Sequence, residues 1–476
     1  MAGITSYGAY IPRYRMDRKL ISEQLAWFGS RGKGEKAVAN HDEDSITISY
    51  SAARNCLKAA GIPKVDGLYL GSMSLPFANR QNAGVVSSAL GLENPLKTID
   101  MSSSARCGTA ALLAALDGAA AGGNYLACAA ECRSPKPGSS QEIAWGDAGA
   151  AVLTGTENVL AELITSYSLA ADFIDFRRLS GDRFEFGWEE RWVRDEGFMK
   201  LVPQTFAGLL KKAGLAPSDI TCVVMATGNS GVIRALPKRL GVAPEAVVQD
   251  NLADTVGDTG AAHPLLMLCC ALDSAAPGDK IALLDFGYGC DALLFEVTNK
   301  IGDARKDMTR VARQIEDKIP LFPYARYLAY KDLIPLELGI RGESVSAASM
   351  NVAWREGQTI ASLTGVKCKI CGQPQYPRHR ICVKCGAEDN MEPYSFVGRN
   401  VRVVSFTADY LSFSYDPPQL YGLLDAPEGG RLLLDFTDCR ANEISVGLEM
   451  ELTFRKKFTD STRGNTVYFW KARPVK

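Results

Sequence analysis

ALDGAAAGGNYLACAA (Ala115–Ala130) decides the fold of this chain, because ALDSAAPGDKIALLDF (Ala271–Phe286) repeats it 156 residues later. Each stretch has the pattern of an apolar helix, a glycine turn and a hydrophobic strand. A second pair recurs in the same order, LKAAGIPKVDGLYLGSMS (Leu57–Ser74) and LKKAGLAPSDITCVVMATGNS (Leu210–Ser230). Two repeated stretches in one order predict a duplicated structural unit.

The alternation of apolar strands with amphipathic helices predicts layered α/β structure with largely parallel sheets. Two of the helices, CGTAALLAAL and HPLLMLCCAL, contain no charged residue, so each is expected to be buried on every side. We therefore predict a duplicated α/β fold in which two sheets enclose a central pair of helices. The two repeats span about residues 1–160 and 161–298.

Five stretches, taken together and in order, resemble the thiolase superfamily. They are GSMSLPFAN (71–79), ARCGTAAL (105–112), GDAGAAVLTG (146–155), VGDTGAAHPLLML (256–268) and DFGYGCDALLFE (285–296). The similarity covers residues 1–298 and is closest to hydroxymethylglutaryl-CoA synthases and ketoacyl-synthase-III-like enzymes. It implies a thiolase-like αβαβα layered fold, a coenzyme A thioester as substrate, and a homodimer or a larger assembly built from dimers.

Four cysteines, Cys368, Cys371, Cys382 and Cys385, follow the pattern C-x2-C-x10-C-x2-C. Two such pairs can place four thiolates tetrahedrally around one Zn²⁺. With four protein ligands and no open position, the predicted site is structural rather than catalytic. Two disulfides or four unrelated thiols are the alternatives.

The C-terminal region predicts two small modules after a partly helical linker at 299–366. The linker leads into a rubredoxin-like zinc ribbon at 367–395, and short alternating strands at 396–476 predict an OB-fold. Residues 354–476 resemble the zinc-ribbon-plus-OB-fold module called DUF35, which accompanies thiolase-like enzymes. This OB-fold lacks a basic, aromatic-rich face, so docking or covering a ligand is expected rather than nucleic-acid binding.

The composition favours a cytoplasmic protein. A net charge of -1 and a pI near 6.4 argue against a nucleic-acid-binding surface. The N-terminal residues lack the pattern of a signal peptide, and no apolar stretch is long enough to span a membrane. The nine cysteines outside the predicted zinc site lie mostly in apolar surroundings, as expected in a reducing compartment. Neither a dinucleotide-binding nor a Walker motif is present.

Thiolase-type catalysis needs a cysteine thiolate at a helix N-terminus, and Cys107 opens the first uncharged helix. The repeat offset pairs Cys107 with His263, which opens the second uncharged helix. Asp258 lies one turn upstream of His263 and could orient its ring. We predict Cys107 as nucleophile, His263 as base and Asp258 as the orienting acid, with a hydrogen-bonded core histidine as the alternative for His263.

The family resemblance implies a different register for the nucleophile. Hydroxymethylglutaryl-CoA synthases place their cysteine three residues before the Gly-Thr of this helix, which is Ala105 in this chain, whereas thiolases place Gly directly after Cys, as at Cys107. The synthase acid corresponds to Met73, its histidine to Ala226 and its asparagine to Asp258. These departures argue against hydroxymethylglutaryl-CoA synthase activity itself.

Three functions compete. The first is a thiolase-like acyltransferase that makes or breaks a C–C bond next to a CoA thioester through an acyl-cysteine. The second is an aldol-type lyase on a CoA thioester without an acyl-enzyme. The third is a non-catalytic protein that binds acyl-CoA or scaffolds another thiolase. The sequence leaves open the acyl group and the direction of the reaction.

Overall fold

The computed structural model describes residues 1–25, 32–306, 308–337, 347 and 349–475. The chain divides into two compact units. Unit 1 contains Met1–Ala39, Asp44–Gly84 and Glu93–Leu333, and unit 2 contains Asn40–Glu43, Val85–Leu92 and Ile334–Lys476. Among the described residues, no helix is both long enough and apolar enough to cross a membrane.

The strands of unit 1 are distributed along its whole length. In chain order they are β1 (Gly3–Tyr10), β2 (Tyr14–Asp17), β3 (Glu35–Val38), β4 (Gly67–Gly71), β5 (Lys97–Met101), β6 (Tyr125–Glu131), β7 (Ala148–Gly155), β8 (Ala161–Ala170), β9 (Phe176–Arg177), β10 (Phe186–Gly187), β11 (Cys222–Ala226), β12 (Lys280–Phe286), β13 (Gly289–Val297) and β14 (Ile319–Pro320).

The α-helices up to residue 333 alternate with these strands. They are α1 (Lys19–Gln24), α2 (Ser45–Ala59), α3 (Asn82–Leu90), α4 (Cys107–Ala120), α5 (Ser140–Ala144), α6 (Glu190–Trp192), α7 (Met199–Ala213), α8 (Ser230–Leu240), α9 (His263–Ser274), α10 (Ile301–Ala304), α11 (Val311–Glu316) and α12 (Tyr324–Tyr330). A π-helical segment lies at Val193–Phe198, and 3₁₀ turns lie at Pro217–Asp219, Pro244–Ala246 and Gly260–Ala262.

Local sequence signals fix several helix ends. The Asp44 side chain caps α2 by accepting the main-chain N–H of Thr47 at 3.0 Å, and the Thr47 hydroxyl accepts in return from the main chain of Asp44. Helix α7 ends at Gly214, whose φ of 69° lies in the left-handed region that favours glycine. Helix α7 therefore ends where the sequence LKKAG predicts a helix end.

A nine-stranded sheet in the order β11-β12-β13-β8-β1-β7-β6-β4-β5 runs through unit 1. The two halves of the sheet have the same pattern of parallel followed by antiparallel pairing. In one half β4 pairs in parallel with β5 and β6, and β6 then pairs antiparallel with β7, which pairs antiparallel with β1. In the other half β11 pairs in parallel with β12, and β12 then pairs antiparallel with β13, which pairs antiparallel with β8. The halves join where β1 meets β8, through the pairs Gly3–Glu162 and Ile4–Ala161. The two separate sheets expected from the sequence are therefore one continuous sheet, because these two strands pair at the junction.

Helices α4 and α9 contain the two uncharged stretches, and they pack against each other and against the sheet. Each helix continues beyond its uncharged stretch to an acid that is not buried, Asp117 in α4 and Asp273 in α9, so neither is buried on every side. Leu112 and Leu116 of α4 are buried in the same core cluster as Leu266 of α9. A Cβ atom on Gly108 would collide with the carbonyl oxygen of Ala261. The start of α4 therefore lies directly against the turn that leads into α9, and only glycine permits this approach.

Residues 299–333, predicted as part of a linker, pack into unit 1. Tyr327 of α12 is completely buried, and Tyr324 and Tyr330 are nearly so. The predicted linker also includes residues 307, 338–346 and 348, which lie outside the described residues.

Unit 2 contains two β-sheets. Its strands are β15 (Thr364–Cys368), β16 (Pro374–Gln375), β17 (Met391–Ser395), β18 (Asn400–Asp409), β19 (Gln419–Asp425), β20 (Arg431–Asp435), β21 (Glu449–Asp460) and β22 (Asn465–Pro474), and its helices are α13 (Met350–Arg355) and α14 (Gly357–Ala361). The three-stranded sheet has the order β16-β15-β17, and the five-stranded sheet β20-β19-β18-β21-β22. A bridge between Phe436 and Ala472 brings the two ends of the five-stranded sheet together.

A buried ionic cluster lies inside unit 2. Arg455 of β21 is fully buried and pairs with Asp42 at 3.2 Å, Glu43 at 2.6 Å and Asp438 at 2.5 Å. Lys471 of β22 adds a second cation, 2.9 Å from Asp42. Burial acts to raise the pKa of Asp42, but these two cations hold it below its ordinary value. The cluster thus ties the short segment Asn40–Glu43 to the five-stranded sheet.

The contact at Gly108 yields a prediction about stability. Gly108→Ala should lower the stability of unit 1 by about 1–3 kcal/mol, because the added methyl group meets a main-chain oxygen that cannot move aside. Gly302→Ala in α10 is the matched control, since a Cβ there meets no atom within 4 Å. The measurement is the midpoint of urea unfolding, and equal midpoints for both variants would contradict the proposed packing.

Candidate active site

The start of α4 carries Cys107, the predicted nucleophile. The residue is only 3% exposed. Burial raises the pKa of Cys107 well above its ordinary value, and the negative charges of Glu131 and Asp285 raise it further. The main-chain N–H groups of Cys107 and Gly108 lower this pKa, as expected at a helix N-terminus, but by less. The protonated thiol is therefore the favoured form at neutral pH.

Ala105 is more accessible than Cys107. A Cβ atom on Gly287 would lie 3.1 Å from that of Ala105, so the two residues face each other closely. The carbonyl of Gly287 accepts hydrogen bonds from Ser104 Oγ at 3.1 Å and from Arg106 Nε at 2.5 Å. Ser103 bends the chain at this point with a φ of 76°, which non-glycine residues rarely adopt. Ala105 is therefore partly exposed, although it packs closely against Gly287.

His263 opens α9 and is 2% exposed. Its Nδ1 accepts the main-chain N–H of Thr259 at 3.3 Å, and the Thr259 hydroxyl lies 3.2 Å away. Since Nδ1 accepts a hydrogen bond, the ring proton resides on Nε2. Burial lowers the pKa of His263, and this effect outweighs the raising effect of Asp258. His263 is thus a neutral imidazole.

Asp258 is paired with Arg133. Arg133 Nη2 donates to the Asp258 carboxylate at 3.0 Å and to its main-chain carbonyl at 2.9 Å, and the Gly260 N–H donates to the same carboxylate at 2.8 Å. Burial acts to raise the pKa of Asp258, but the Arg133 guanidinium holds it below its ordinary value. The Arg133 guanidinium also stacks on the Trp145 ring at 4.0 Å. Asp258 is therefore a carboxylate held by a buried arginine.

Glu131, which ends β6 and is completely buried, belongs to the site although it was not predicted from the sequence. Its carboxylate accepts the Met73 N–H at 2.7 Å and the Ser74 hydroxyl at 2.6 Å. An acid thus lies at the loop where the family resemblance places one, although residue 73 itself is Met. Burial raises the pKa of Glu131 to about 7, against the lowering effect of Arg133. The signal in the sequence that could have identified Glu131 is an acidic residue at the end of an otherwise apolar strand.

Two further groups lie near the start of α4. Thr109 Oγ1 donates to Asp285 at 2.5 Å, and burial raises the pKa of Asp285 well above its ordinary value. Arg106 forms an ion pair with Asp291 at 2.7 Å. Cys290, between these acids, is buried, and burial raises its pKa to about 12. These groups fix the loop before α4 to the end of the sheet.

The three predicted catalytic residues do not form one connected set: Asp258 and His263 interact with each other, whereas Cys107 interacts with other acids. Asp258 and His263 interact electrostatically, and the same holds for Cys107 with Glu131. Among the described residues, however, the carboxylate of Asp258 is hydrogen-bonded to Arg133 and Gly260, not to the His263 ring. The sequence predicts that Asp258 orients the His263 ring through a hydrogen bond, but the hydrogen bond to that ring comes from Thr259 instead.

The four predicted metal ligands come together in unit 2. The sulfur atoms of Cys368, Cys371, Cys382 and Cys385 all lie within 4.8 Å of one another. The Cys371–Cys382 and Cys368–Cys385 sulfur pairs are 3.5 and 3.8 Å apart, too far for disulfide bonds. Four sulfurs at about 2.3 Å from a tetrahedral Zn²⁺ would be separated by about 3.8 Å. The arrangement fits the metal.

Known proteins resemble this chain in sequence. The family model for the C-terminal part of 3-oxoacyl-[acyl-carrier-protein] synthase III matches residues 210–296. Hydroxymethylglutaryl-CoA synthase of Pyrobaculum calidifontis is 32% identical over 346 residues, which are 70% of this chain and 98% of that protein. The corresponding synthase of Methanosarcina mazei is 32% identical over 352 residues, 70% of this chain and 99% of that protein.

Solved structures share the fold. A crystal structure of HMG-CoA synthase complexed with CoA has a TM-score of 0.62 at 17% identity, covering 73% of this chain and 95% of that chain. The crystal structure of 3-oxoacyl-(acyl carrier protein) synthase III of Pseudomonas aeruginosa PAO1 has a TM-score of 0.56 at 22% identity. The match covers 62% of this chain and 98% of that chain. Fold and site together define a thiolase-like α/β protein. The chain belongs to the hydroxymethylglutaryl-CoA synthase family of CoA-dependent acyl-transferring enzymes.

The environment of Glu131 predicts a pH dependence of stability. Its pKa rises from about 4.5 to about 7 on folding, so the folded state favours the protonated acid. Stability is therefore lost as the pH rises from about 4.5 through about 7, by roughly 3 kcal/mol. Glu131→Gln should remove this part of the pH dependence, measured as urea midpoints on either side of that window. Glu157→Gln, at an exposed position, is the control, and an unchanged pH dependence in Glu131→Gln would contradict the assignment.

Proposed function

We propose that this protein makes or breaks a C–C bond next to a CoA thioester, as a thiolase-like acyltransferase. The observation that carries the proposal is the 32% identity over 98% of the length of the P. calidifontis hydroxymethylglutaryl-CoA synthase. The start of α4 supports it, because the partly exposed Ala105 lies two residues before Cys107, which interacts with the buried acids Glu131 and Asp285. An acyl-CoA is the proposed substrate class.

An acyl-cysteine on Cys107, with His263 and Asp258 assisting proton transfer, is the mechanism that the repeat predicts. Its support is the position of Cys107 at the helix start, where two main-chain N–H groups favour the thiolate. Burial and two nearby acids oppose it. The route therefore requires that a bound substrate changes the environment of the thiol.

An aldol-type lyase without an acyl-enzyme is the second candidate. The observation that favours this lyase is Ala105, because it occupies the partly exposed position where the family resemblance places the cysteine. Such a reaction needs a proton carrier rather than a nucleophile, and Glu131, with a pKa of about 7, is matched to that role. The third candidate, a non-catalytic acyl-CoA-binding partner, would show neither activity.

For unit 2 we propose a DUF35-type module with a structural Zn²⁺ in a zinc ribbon at 367–395 and an OB-fold at 396–476. The tetrahedral spacing of the four sulfurs supports the metal, and the approach of the two ends of the five-stranded sheet supports a barrel. We also propose that the protein is cytoplasmic, as its composition favours, and that it forms a homodimer or a larger assembly built from dimers, as the thiolase resemblance implies.

The metal proposal predicts one Zn²⁺ per chain. Cys371→Ser should release the metal and lower the unfolding temperature of unit 2, because the binding energy of such a site is largely folding energy. Cys439→Ser is the matched control, since Cys439 is also buried in unit 2 but lies outside the four-sulfur cluster. The measurement is elemental analysis combined with calorimetry, and metal-free wild-type protein would rule the site out.

The two enzymatic routes predict different outcomes for one pair of variants. If an acyl-cysteine forms, acyl-CoA adds the acyl mass to the wild type, and Cys107→Ser loses both the adduct and turnover. His263→Ala should then slow turnover by roughly 10²–10⁴. Cys128→Ser is the control, since that thiol is equally buried in β6.

The lyase route predicts no adduct and retained activity in Cys107→Ser. Intact-mass measurement and an aldol-cleavage assay on the same preparations separate the routes. Absence of an adduct, of condensation and of cleavage would contradict the proposed enzymatic function.

A further inference from the structure

Lys331, directly after α12, makes three contacts in the interior of unit 1. Its Nζ donates to Asp147 Oδ2 at 2.5 Å, to the main-chain carbonyl of Arg133 at 3.1 Å and to the sulfur of Cys132 at 3.5 Å. An ammonium group has three protons, so all of them are committed. The lysine side chain is buried, and so is that of its partner Asp147. A thiol and an amine are thus held in direct contact by residues far apart in the sequence.

The charges around Cys132 distinguish it from the other cysteines of unit 1. Besides Lys331, the groups that interact with it or neighbour it are Asp147, Glu131, Arg133 and Tyr327. Burial acts to lower the pKa of Lys331, but Asp147 and Cys132 raise it above its ordinary value, so the lysine is charged. A cation beside sulfur stabilises the thiolate, which is the form that reacts with oxidants.

Cys132 is also accessible, because it is only partly buried, whereas Cys107 and Cys128 are fully buried. Its main-chain N–H donates to Ser74 Oγ at 2.9 Å, which fixes the residue in place. A half-buried thiol held in contact with a lysine amine is arranged for reaction with that amine once its sulfur has been oxidised.

We propose that Cys132 and Lys331 form an oxidative modification site in which peroxide joins the two side chains through an S–N bond. The Cys132 thiolate attacks hydrogen peroxide, the O–O bond breaks, and a sulfenic acid and hydroxide form. The Lys331 ammonium loses a proton to Asp147, and the amine nitrogen attacks sulfur. The S–O bond then breaks and water leaves. Overall, one thiolate, one ammonium and one H₂O₂ give one neutral sulfenamide and two H₂O.

The bridge would change the electrostatics beside the candidate active site. It removes the positive charge of Lys331 and leaves Asp147 with the Ala39 N–H, at 2.7 Å, as its remaining hydrogen-bond donor in this cluster. It also fixes the chain next to Arg133, which holds Asp258. Reduction of the S–N bond by a thiol restores the ion pair, so the modification is reversible.

The test treats the full-length protein with limiting hydrogen peroxide, blocks free thiols with N-ethylmaleimide and maps the tryptic peptides by mass spectrometry. We expect a cross-linked pair of peptides containing Cys132 and Lys331, about 2 Da lighter than the sum of the reduced peptides. The pair should disappear after dithiothreitol. Fragment spectra identify both linked residues in the wild type, so the test does not depend on any variant.

Two variants and two internal controls complete the experiment. Cys132→Ser and Lys331→Arg should both lack the cross-link, and the arginine keeps a positive charge opposite Asp147 but is not a nucleophilic amine. Cys222 and Cys270 are the matched thiols, since they are also half-buried while burial raises their pKa values to about 11 and about 12. Cys132 should react at least about tenfold faster than either.

Three results would overturn the proposal. One is oxidation of Cys132 to sulfinic acid without a cross-link. Another is a rate no greater than that of Cys222 and Cys270. The third is a cross-link about 14 Da heavier than the reduced pair, because it would show that oxygen is retained between sulfur and nitrogen.

Discussion

The close approach of the two uncharged helix starts is the constraint on which the rest of unit 1 depends. Gly108 in α4 lies against the carbonyl of Ala261, just before α9, and no larger residue fits there. The alanines and leucines behind this contact fill one core cluster shared by both halves of the sheet. Because the contact is so tight, the side chains that open the two helices, Cys107 and His263, are enclosed in protein.

That enclosure sets two electrostatic effects against each other at Cys107. A helix N-terminus favours a thiolate by roughly 0.3–1 kcal/mol at an exposed site, whereas loss of water around the thiol favours the protonated form more strongly. The nearby acids Glu131 and Asp285 act in the same direction as burial. The helix start therefore does not by itself make Cys107 reactive. Ala105, where the synthase register of the family resemblance would place the cysteine, is more exposed than Cys107.

Much of unit 1 follows from the sequence because its signals are local and repeated. The offset of 156 residues predicts two equivalent helices, and α4 and α9 begin at Cys107 and His263. The spacing of the four cysteines likewise predicts a cluster, and their sulfurs converge. These predictions depend on periodicity and on short-range spacing, which a single sequence contains.

The remaining features join residues that no local pattern connects. Arg133 reaches Asp258 across 125 residues, and Lys331 reaches Cys132 across 199. The hydrogen bond to His263 was expected from Asp258, but Arg133 neutralises that carboxylate and Thr259 supplies the bond instead. The pairing of β1 with β8, which joins the two halves into one sheet, involves two residue pairs with no distinctive sequence.

The central claim is that the start of α4 is where a CoA thioester reacts, whichever residue carries the chemistry. A crystal structure of the full-length protein with a non-hydrolysable acyl-CoA thioether tests this most directly. We expect the acyl carbon next to sulfur to lie beside Ala105 and Gly287, with the buried acid Glu131 close by. An acyl group bound elsewhere, with the surface at Ala105 filled only by solvent, would contradict it.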